Sequence, residues 1–166
     1  MNFFELFEIP VQLSVDRSWL QSKFIELSKK YHPDYFVQED VVKQLEMLEM
    51  SAMLNKAWKT FQHSDETIKY VLQQKGLLEE EEKYALPPDF LMEVMEINER
   101  LMDGADREEL KPVIDQLQNE IYEPVKQMVE YYSEGAVSEE ELLQVKEYYY
   151  KKKYLDRLRR ELAGNR

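Results

Sequence analysis

The sequence predicts an all-α protein built from two small helical units. Apolar residues recur at steps of three and four along most of the 166 residues, which is the period of an amphipathic helix. Only 4 residues are Gly, and no segment shows the alternation that is typical of a strand. Residues 1–76 hold 9 Lys and Arg against 11 Asp and Glu, so residues 77–166 carry −10 of the formal charge of −12. This uneven charge indicates two units that differ in kind.

The first long helix is predicted over residues 17–31. Asp16 is placed to cap it, since its carboxylate can accept from backbone N–H groups that the first turn leaves unpaired. Pro33 ends the helix, because its ring lacks an N–H and biases His32 away from helical angles. The apolar stripe of this helix consists of Trp19, Leu20, Phe24, Leu27 and Tyr31. The lysines left for solvent are Lys23, Lys29 and Lys30.

A second long helix is predicted over residues 41–62, antiparallel to the first and joined to it by residues 32–40. Its pattern again advances in steps of three and four, through Val41, Leu45, Leu48, Ala52, Asn55, Trp58 and Phe61. A shorter helix over residues 65–75 follows. The N-terminal aromatic segment caps this helical unit with Phe3, Phe4, Leu6 and Phe7.

The boundary between the units is predicted after Gly76, which is typical of a helix end. A Glu-rich run follows, and Pro87 and Pro88 then restart regular structure. The run is interpreted as a solvated surface, since it lacks the alternating oxygen ligands and turn glycine of a calcium loop. We therefore expect three segments: a first domain over 1–76, an acidic connector over 77–86 and a second domain over 87–166.

The second domain is expected to be a three-helix bundle. The first helix starts at Asp89 and closes near Gly104, the second covers about 107–133 with a kink at Pro124, and the third covers about 139–163. Short connections force neighbouring helices to run antiparallel.

The composition excludes several classes of function. The chain has no Cys, so disulfides, thiolate catalysis and thiolate-bound metals are excluded, and a pI near 4.7 argues against nucleic-acid binding. No apolar run approaches the roughly 18 residues of a membrane span, and the acidic N-terminus does not resemble a targeting peptide, so we expect a cytoplasmic protein. With two His and no phosphate-binding loop, we expect no catalytic residue, metal or cofactor. A metal-dependent enzyme using His32 and Asp34 stays open as an alternative hypothesis.

Several motifs together resemble known families. An aromatic N-terminus (Phe3 to Phe7), a basic helix ending at Tyr31, the tripeptide His32-Pro33-Asp34 and the segment Ser51 to Trp58 resemble a J-domain. The segments Leu86 to Glu93 and Lys153 to Leu158 are similar to the second domain of HscB-type iron–sulfur co-chaperones. The resemblance covers nearly the whole chain.

The resemblance implies a co-chaperone that is not itself an enzyme. His32, Pro33 and Asp34 would dock on the ATPase domain of an HscA/DnaK-type chaperone and stimulate it. Lys23, Lys29 and Lys30 would steer the helix toward an acidic groove on that partner. Many J-domains carry Lys or Arg where this chain has Tyr35, so a weaker or more selective contact is expected. A J-domain protein that serves a client outside iron–sulfur assembly is the alternative.

The resemblance also implies where the client, an IscU-type iron–sulfur scaffold, would bind. Two offset stripes are expected on the helix that begins near Asp89: one fills the core, and the other faces outward with methionines beside acids, which suits a docking surface. The core stripe is Phe90, Val94, Ile97 and Leu101. The scaffold-binding residues implied are Leu91, Met92, Met95, Glu96, Glu99 and, from the last helix, Tyr154.

Overall fold

A computed structural model describes residues 1–164 of the chain. The all-α prediction is confirmed, since these residues form helices and turns without a strand. The α-helices are α1 (Phe3–Phe7), α2 (Arg17–Tyr31), α3 (Val41–Phe61), α4 (Ser64–Gln74), α5 (Pro88–Met102), α6 (Arg107–Tyr122), α7 (Lys126–Glu130) and α8 (Glu139–Leu162). Short 3₁₀ turns cover Pro33–Phe36 and Glu123–Val125. The last two residues of the predicted second domain, 165 and 166, lie outside the described part.

The core of the N-terminal half is built around Phe61, at the end of α3. Its ring lies 4.9 Å from that of Phe4 and 5.4 Å from that of Phe7, and all three side chains are buried. Phe3 stacks on Tyr70 of α4 at 4.3 Å, and its backbone N–H donates to the Tyr70 hydroxyl at 2.9 Å. The N-terminal segment therefore closes the α2–α3 hairpin as the sequence predicted. α4 packs against α3 in the same core.

The boundaries predicted for α2 and α3 agree with the structure, but part of the predicted α3 stripe is wrong. Val41, Leu45, Leu48, Ala52 and Asn55 are exposed, and the buried residues of α3 are Met47, Leu54, Ala57 and Phe61. The buried set has helical spacing as well, so α3 turns a neighbouring face toward the core. The 3₁₀ turn of the connecting loop also contacts α3.

Trp19 of α2 is also more exposed than the sequence predicted, at 39%. The residues that face the hairpin core are Leu20, Phe24, Leu27 and Tyr31, which repeat in steps of four, three and four. Trp19 lies at the edge of that stripe. The Asp16 cap is confirmed, because its carboxylate accepts from the Trp19 N–H at 2.8 Å.

The C-terminal half contains the three long helices that the sequence predicted, α5, α6 and α8. The second is shorter than expected: α6 ends at Tyr122, a 3₁₀ turn follows, and α7 covers only Lys126–Glu130. Pro124 lacks an N–H and its ring crowds the carbonyl four residues earlier, which accounts for the interruption at the predicted position. Tyr122, Glu123 and Lys126 keep right-handed helical angles, so the chain continues from α6 into α7. Pro112 lies inside α6 without ending it. Ser138 and Glu141 cap α8 reciprocally through two 3.1 Å hydrogen bonds.

α4 and α8 connect the two halves of the chain. The Lys152 ammonium lies 3.1 Å from an Asp65 oxygen and 2.8 Å from an Asp156 oxygen. Tyr148 and Tyr149 are buried on the α8 side, and burial raises the pKa of Tyr149 to about 12. Both phenols therefore stay neutral at physiological pH, as burial raises the pKa of Tyr148 as well.

In the acidic connector, Glu79, Glu80 and Glu81 are exposed, as a solvated surface requires, whereas Glu82 is held against α8. Glu82 pairs with Lys146 at 2.6 Å, and the Tyr84 ring stacks on Tyr150 at 4.5 Å. Leu78 is buried. The hydrogen bond from Lys146, followed by that from the Glu79 N–H, lowers the pKa of Glu82 below its ordinary value near 4.5. The domain boundary in this segment remains a prediction.

Within residues 1–164, no helix has both the length and the apolar character that crossing a membrane requires.

The Glu82–Lys146 pair should make stability depend on pH. Because the pKa of Glu82 is lower in the folded chain than in the unfolded one, the pair contributes stability above the unfolded pKa, and this is lost as pH falls through the folded pKa. Glu82→Gln should lower the free energy of unfolding at pH 7 by up to about 1 kcal/mol. The difference from wild type should be smaller at about pH 2.5 than at pH 7, because protonation of the carboxyl removes the ion pair.

Urea unfolding of both proteins at the two pH values measures this difference, with Glu81→Gln as the matched control at an exposed neighbouring acid. A Glu82→Gln effect that is equal at both pH values would show that the ion pair is not its source.

Candidate protein-docking sites

The tripeptide His32-Pro33-Asp34 lies at the tip of the α2–α3 hairpin. The backbone N–H of Asp34 donates to His32 Nδ1 at 3.2 Å. A ring nitrogen that accepts a hydrogen bond carries no proton, so this geometry assigns the proton of neutral His32 to Nε2. Asp34 Oδ2 lies 3.6 Å from Nδ1, too far for a hydrogen bond. The His32 and Asp34 side chains are 53% and 84% exposed, so a partner protein can reach both.

The loop that carries the tripeptide is fastened to α3 by Gln44, which the sequence did not single out. Gln44 Nε2 donates to the carbonyl oxygens of Val37 at 3.1 Å and Glu39 at 3.0 Å. The Asp40 carboxylate caps α3 by accepting from the Lys43 N–H at 2.8 Å. The sequence could not predict that Gln44 anchors the loop, because the contact depends on the path that the loop takes. The tripeptide is therefore presented by a loop that is anchored to α3.

The three lysines predicted to steer this loop differ in availability. Lys29 and Lys30 are exposed. Lys23 is only 16% exposed and lies 3.5 Å from Glu8 and 3.3 Å from Glu26, so the expectation that it faces solvent is wrong. Burial acts to lower the pKa of Lys23, but the hydrogen bonds and charges of these two carboxylates outweigh it and raise the pKa. The charge of Lys23 is therefore largely offset within α1–α2.

An apolar surface borders the tripeptide on the α3 side. Val41, Leu45 and Leu48 are 70%, 54% and 54% exposed. Together with Pro33 and Val37 they line a groove of about 390 Å³ that reaches Asp34. The spacing of these residues in the sequence could have indicated this surface, but the same spacing was assigned to the core. We call these five residues the α3 patch.

Tyr35 is the residue that departs from the J-domain pattern. Its side chain is 69% exposed, and its ring centroid lies 6.1 Å from that of His32 with the rings at 70°. The Tyr35 ring thus lies beside the tripeptide, at a position where many J-domains carry Lys or Arg. Tyr35 places no positive charge at this point of the loop.

The two stripes expected on α5 differ in how exposed their side chains are. Phe90, Val94 and Ile97 are at most 4% exposed and face the bundle core. Leu91, Met92 and Met95 are 36%, 68% and 58% exposed, and Glu96 and Glu99 are exposed as well. We call these five outward residues the α5 face. An exposed pair of methionines beside carboxylates forms an adaptable apolar surface with a charged rim.

Tyr154 of α8 lies beside the N-terminal end of α5. Its ring centroid is 6.4 Å from that of Phe90 with the planes at 88°, and the Arg157 guanidinium lies 5.3 Å over the Tyr154 ring. Tyr154 is half-buried. It can therefore contribute part of its ring to a partner on α5, while the rest supports Phe90.

The basic residues of α8 are mostly paired within the chain. Lys151 lies 3.3 Å from Glu147, Lys152 is shared by two aspartates, and Arg159 lies 2.7 Å from Asp115. These pairs offset much of the positive charge of this helix within the chain itself. In the described residues, no group of three or more His, Cys, Asp or Glu is placed to hold a metal ion. His32 and Asp34 therefore have no third candidate ligand there.

The chain is similar in sequence to one protein-family model and to several known proteins. Residues 86–163 match the family model described as the HSCB C-terminal oligomerisation domain. The Co-chaperone protein HscB homolog of Vibrio vulnificus is 36% identical over 126 residues, which are 74% of each chain. The corresponding protein of Vibrio parahaemolyticus is 39% identical over 107 residues, 64% of this chain. The match spans 63% of that relative's length.

Two solved structures share the fold. Chaperone HscB from Vibrio cholerae superposes with a TM-score of 0.72 at 26% identity, covering 98% of this chain and 96% of that one. Human co-chaperone protein HscB superposes with a TM-score of 0.78 at 24% identity, covering 98% and 81%. The similarity in fold thus extends over both halves of the chain.

Proposed function

Since the chain belongs to the HscB co-chaperone family, we propose that it stimulates ATP hydrolysis by an HscA/DnaK-type chaperone and delivers an IscU-type iron–sulfur scaffold to it. The proposed role supports the maturation of iron–sulfur proteins. The observation that supports it most directly is the exposure of the α5 face, because Met92 and Met95 lie outside a bundle core that Phe90 and Val94 already fill. The second surface needed, the anchored tripeptide loop, lies on the other half of the chain.

The proposed chaperone contact combines the tripeptide with the α3 patch. Lys29 and Lys30 attract an acidic surface and raise the association rate. His32 and Asp34 supply polar contacts, while the patch of Val41, Leu45 and Leu48 adds an apolar area next to them. A contact that is stronger in the hydrolysis-competent state of the chaperone shifts its conformational equilibrium toward that state. In this proposal the chain contacts no nucleotide, and the catalytic groups belong to the partner chaperone.

The proposed client contact is made by the α5 face with Tyr154. Its apolar centre of Leu91, Met92 and Met95 can exclude water, and Glu96 and Glu99 form a charged rim that selects a partner with complementary charge. Binding both proteins through one chain raises the effective concentration of client at the chaperone.

His32→Gln should abolish most of the stimulation of the chaperone ATPase. The substitution keeps a polar side chain but removes the imidazole that organises the loop through the Asp34 N–H. We expect at least a tenfold loss, about 1.4 kcal/mol of differential contact. Steady-state ATP hydrolysis by a purified HscA/DnaK-type chaperone measures it. His63→Gln, at the other end of α3, is the matched control and should stimulate like wild type. Equal stimulation by the two variants would refute the proposed role of the loop.

Met92→Ala combined with Tyr154→Ala should weaken scaffold binding by about 10- to 100-fold, because two central contacts of the proposed interface are lost. Isothermal titration with a purified IscU-type scaffold gives the Kd. Tyr131→Ala is the control, since Tyr131 is 76% exposed and lies at the end of α7, on neither α5 nor α8. Circular dichroism checks that the fold survives, and Met92→Ala alone avoids the structural contact of Tyr154 with Phe90. Unchanged affinity in the folded variants would remove the α5 face as the client site.

A further inference from the structure

A groove separates α5 from α6 on one flank of the α5 face. It has a volume of about 400 Å³. Its rim carries Glu93 and Glu96 from α5 and Glu120 from α6. Glu96 also belongs to the α5 face, so the groove and the face share an edge. A ligand that covers the α5 face can therefore reach the groove without crossing a ridge of other side chains.

The floor of this groove is apolar. It is lined by Ile97, Val113 and Leu117, of which Ile97 and Leu117 are at most 5% exposed. A second groove of about 550 Å³ shares Glu93, Leu117 and Glu120 with the first. The two grooves therefore adjoin each other along α5, and we call them together the channel. An aliphatic side chain or the stem of a long one can lie on such a floor while its polar end stays at the rim.

The carboxylates of the rim lack cationic partners within residues 1–164. Glu93 and Glu96 make no ion pair there, and Glu120 accepts a hydrogen bond from the neutral Gln116 amide at 3.1 Å. Arg100 is the one cation lining the smaller groove in this part of the chain, against three carboxylates. In the larger groove, the Lys151 charge is already 3.3 Å from Glu147. The channel is therefore an apolar floor under a net negative rim.

We infer that this channel binds a segment of the client scaffold in which Lys or Arg alternates with aliphatic side chains. The inference rests on the proposed function, since it extends the client interface from the α5 face onto α6. Charge complementarity supports this occupant: the rim is acidic, and residues 77–166 carry −10 of the net charge. The aliphatic groups cover Leu117 and Val113, and the cations pair with Glu93 and Glu120. The rim then sets partner choice and association rate, while the α5 face supplies most of the apolar contact.

The test uses the full chain and a purified IscU-type scaffold, with binding measured by isothermal titration at two salt concentrations. Glu93→Gln combined with Glu120→Gln should weaken binding by about tenfold at low salt and reduce the dependence of Kd on salt, since screened charge pairs are lost. Glu46→Gln combined with Glu49→Gln on α3 removes the same charge from exposed helix positions away from the channel. This control should match wild type in both respects.

Further variants distinguish failure of the channel from failure of the proposed function. Gln116→Arg places a cation at the rim and should weaken binding even if the double Gln variant loses helicity. Unchanged affinity in both channel variants, together with a loss in Met92→Ala, overturns the channel and leaves the proposed function standing. Equal weakening in the α3 control overturns the channel as well, because net charge alone then explains the effect. Absence of scaffold binding to the wild-type chain overturns the proposed function and the channel together.

Discussion

The packing of α4 against α8 is the constraint on which the rest of the arrangement depends. Lys152 is 16% exposed and lies between Asp65, 87 residues earlier in the chain, and Asp156, one turn later. Burial acts to lower the pKa of Lys152, but the hydrogen bond to Asp156 and the charge of Asp65 outweigh it and raise the pKa. The ammonium therefore stays charged. Removing one member of such a pair leaves the other charge partly buried, which is strongly unfavourable.

The packing of α4 against α8 connects two surfaces that lie on different halves of the chain. The tripeptide loop is fixed to α3 by Gln44, α3 packs on α4, and α4 packs on α8. The α5 face is fixed by Phe90, which contacts Tyr154 of the same α8. A continuous path of packed helices therefore leads from one proposed docking surface to the other. Under the proposed function, the chain presents its client to the chaperone at a defined position, not on a flexible tether.

Local features of the fold could be predicted from the sequence, because helix periodicity and caps are local properties. The boundaries of α2 and α3 and the caps by Asp16 and Ser138 depend on neighbouring residues alone. The outward face of Met92 and Met95 followed from the offset between two stripes on one helix. Nonlocal features could not be obtained in this way. Val41 and Leu45 are exposed although their spacing predicts a core position, because spacing alone does not reveal which of two neighbouring faces of α3 is buried.

The same limit applies to charged residues. Lys23 was expected at the surface, and its position against Glu8 depends on how α1 folds back on α2. The pairing of Lys152 with Asp65 joins segments that have no sequence relation, and Glu82 pairs with Lys146 in the same way. The sequence predicts a disturbance at Pro124, where a 3₁₀ turn separates α6 from α7, but it does not distinguish this proline from Pro112, which α6 accommodates.

If the packing of α4 against α8 is rigid, it holds the two proposed docking surfaces at a fixed separation. The distance between spin labels at Glu46→Cys on α3 and Met102→Cys on α5 tests it most directly. Both positions are exposed, and the absence of native cysteines makes the labelling specific. Pulsed electron paramagnetic resonance should give one narrow distance distribution for the free chain. A broad distribution, or two separate populations, would contradict a rigid junction and favour independent movement of the two halves.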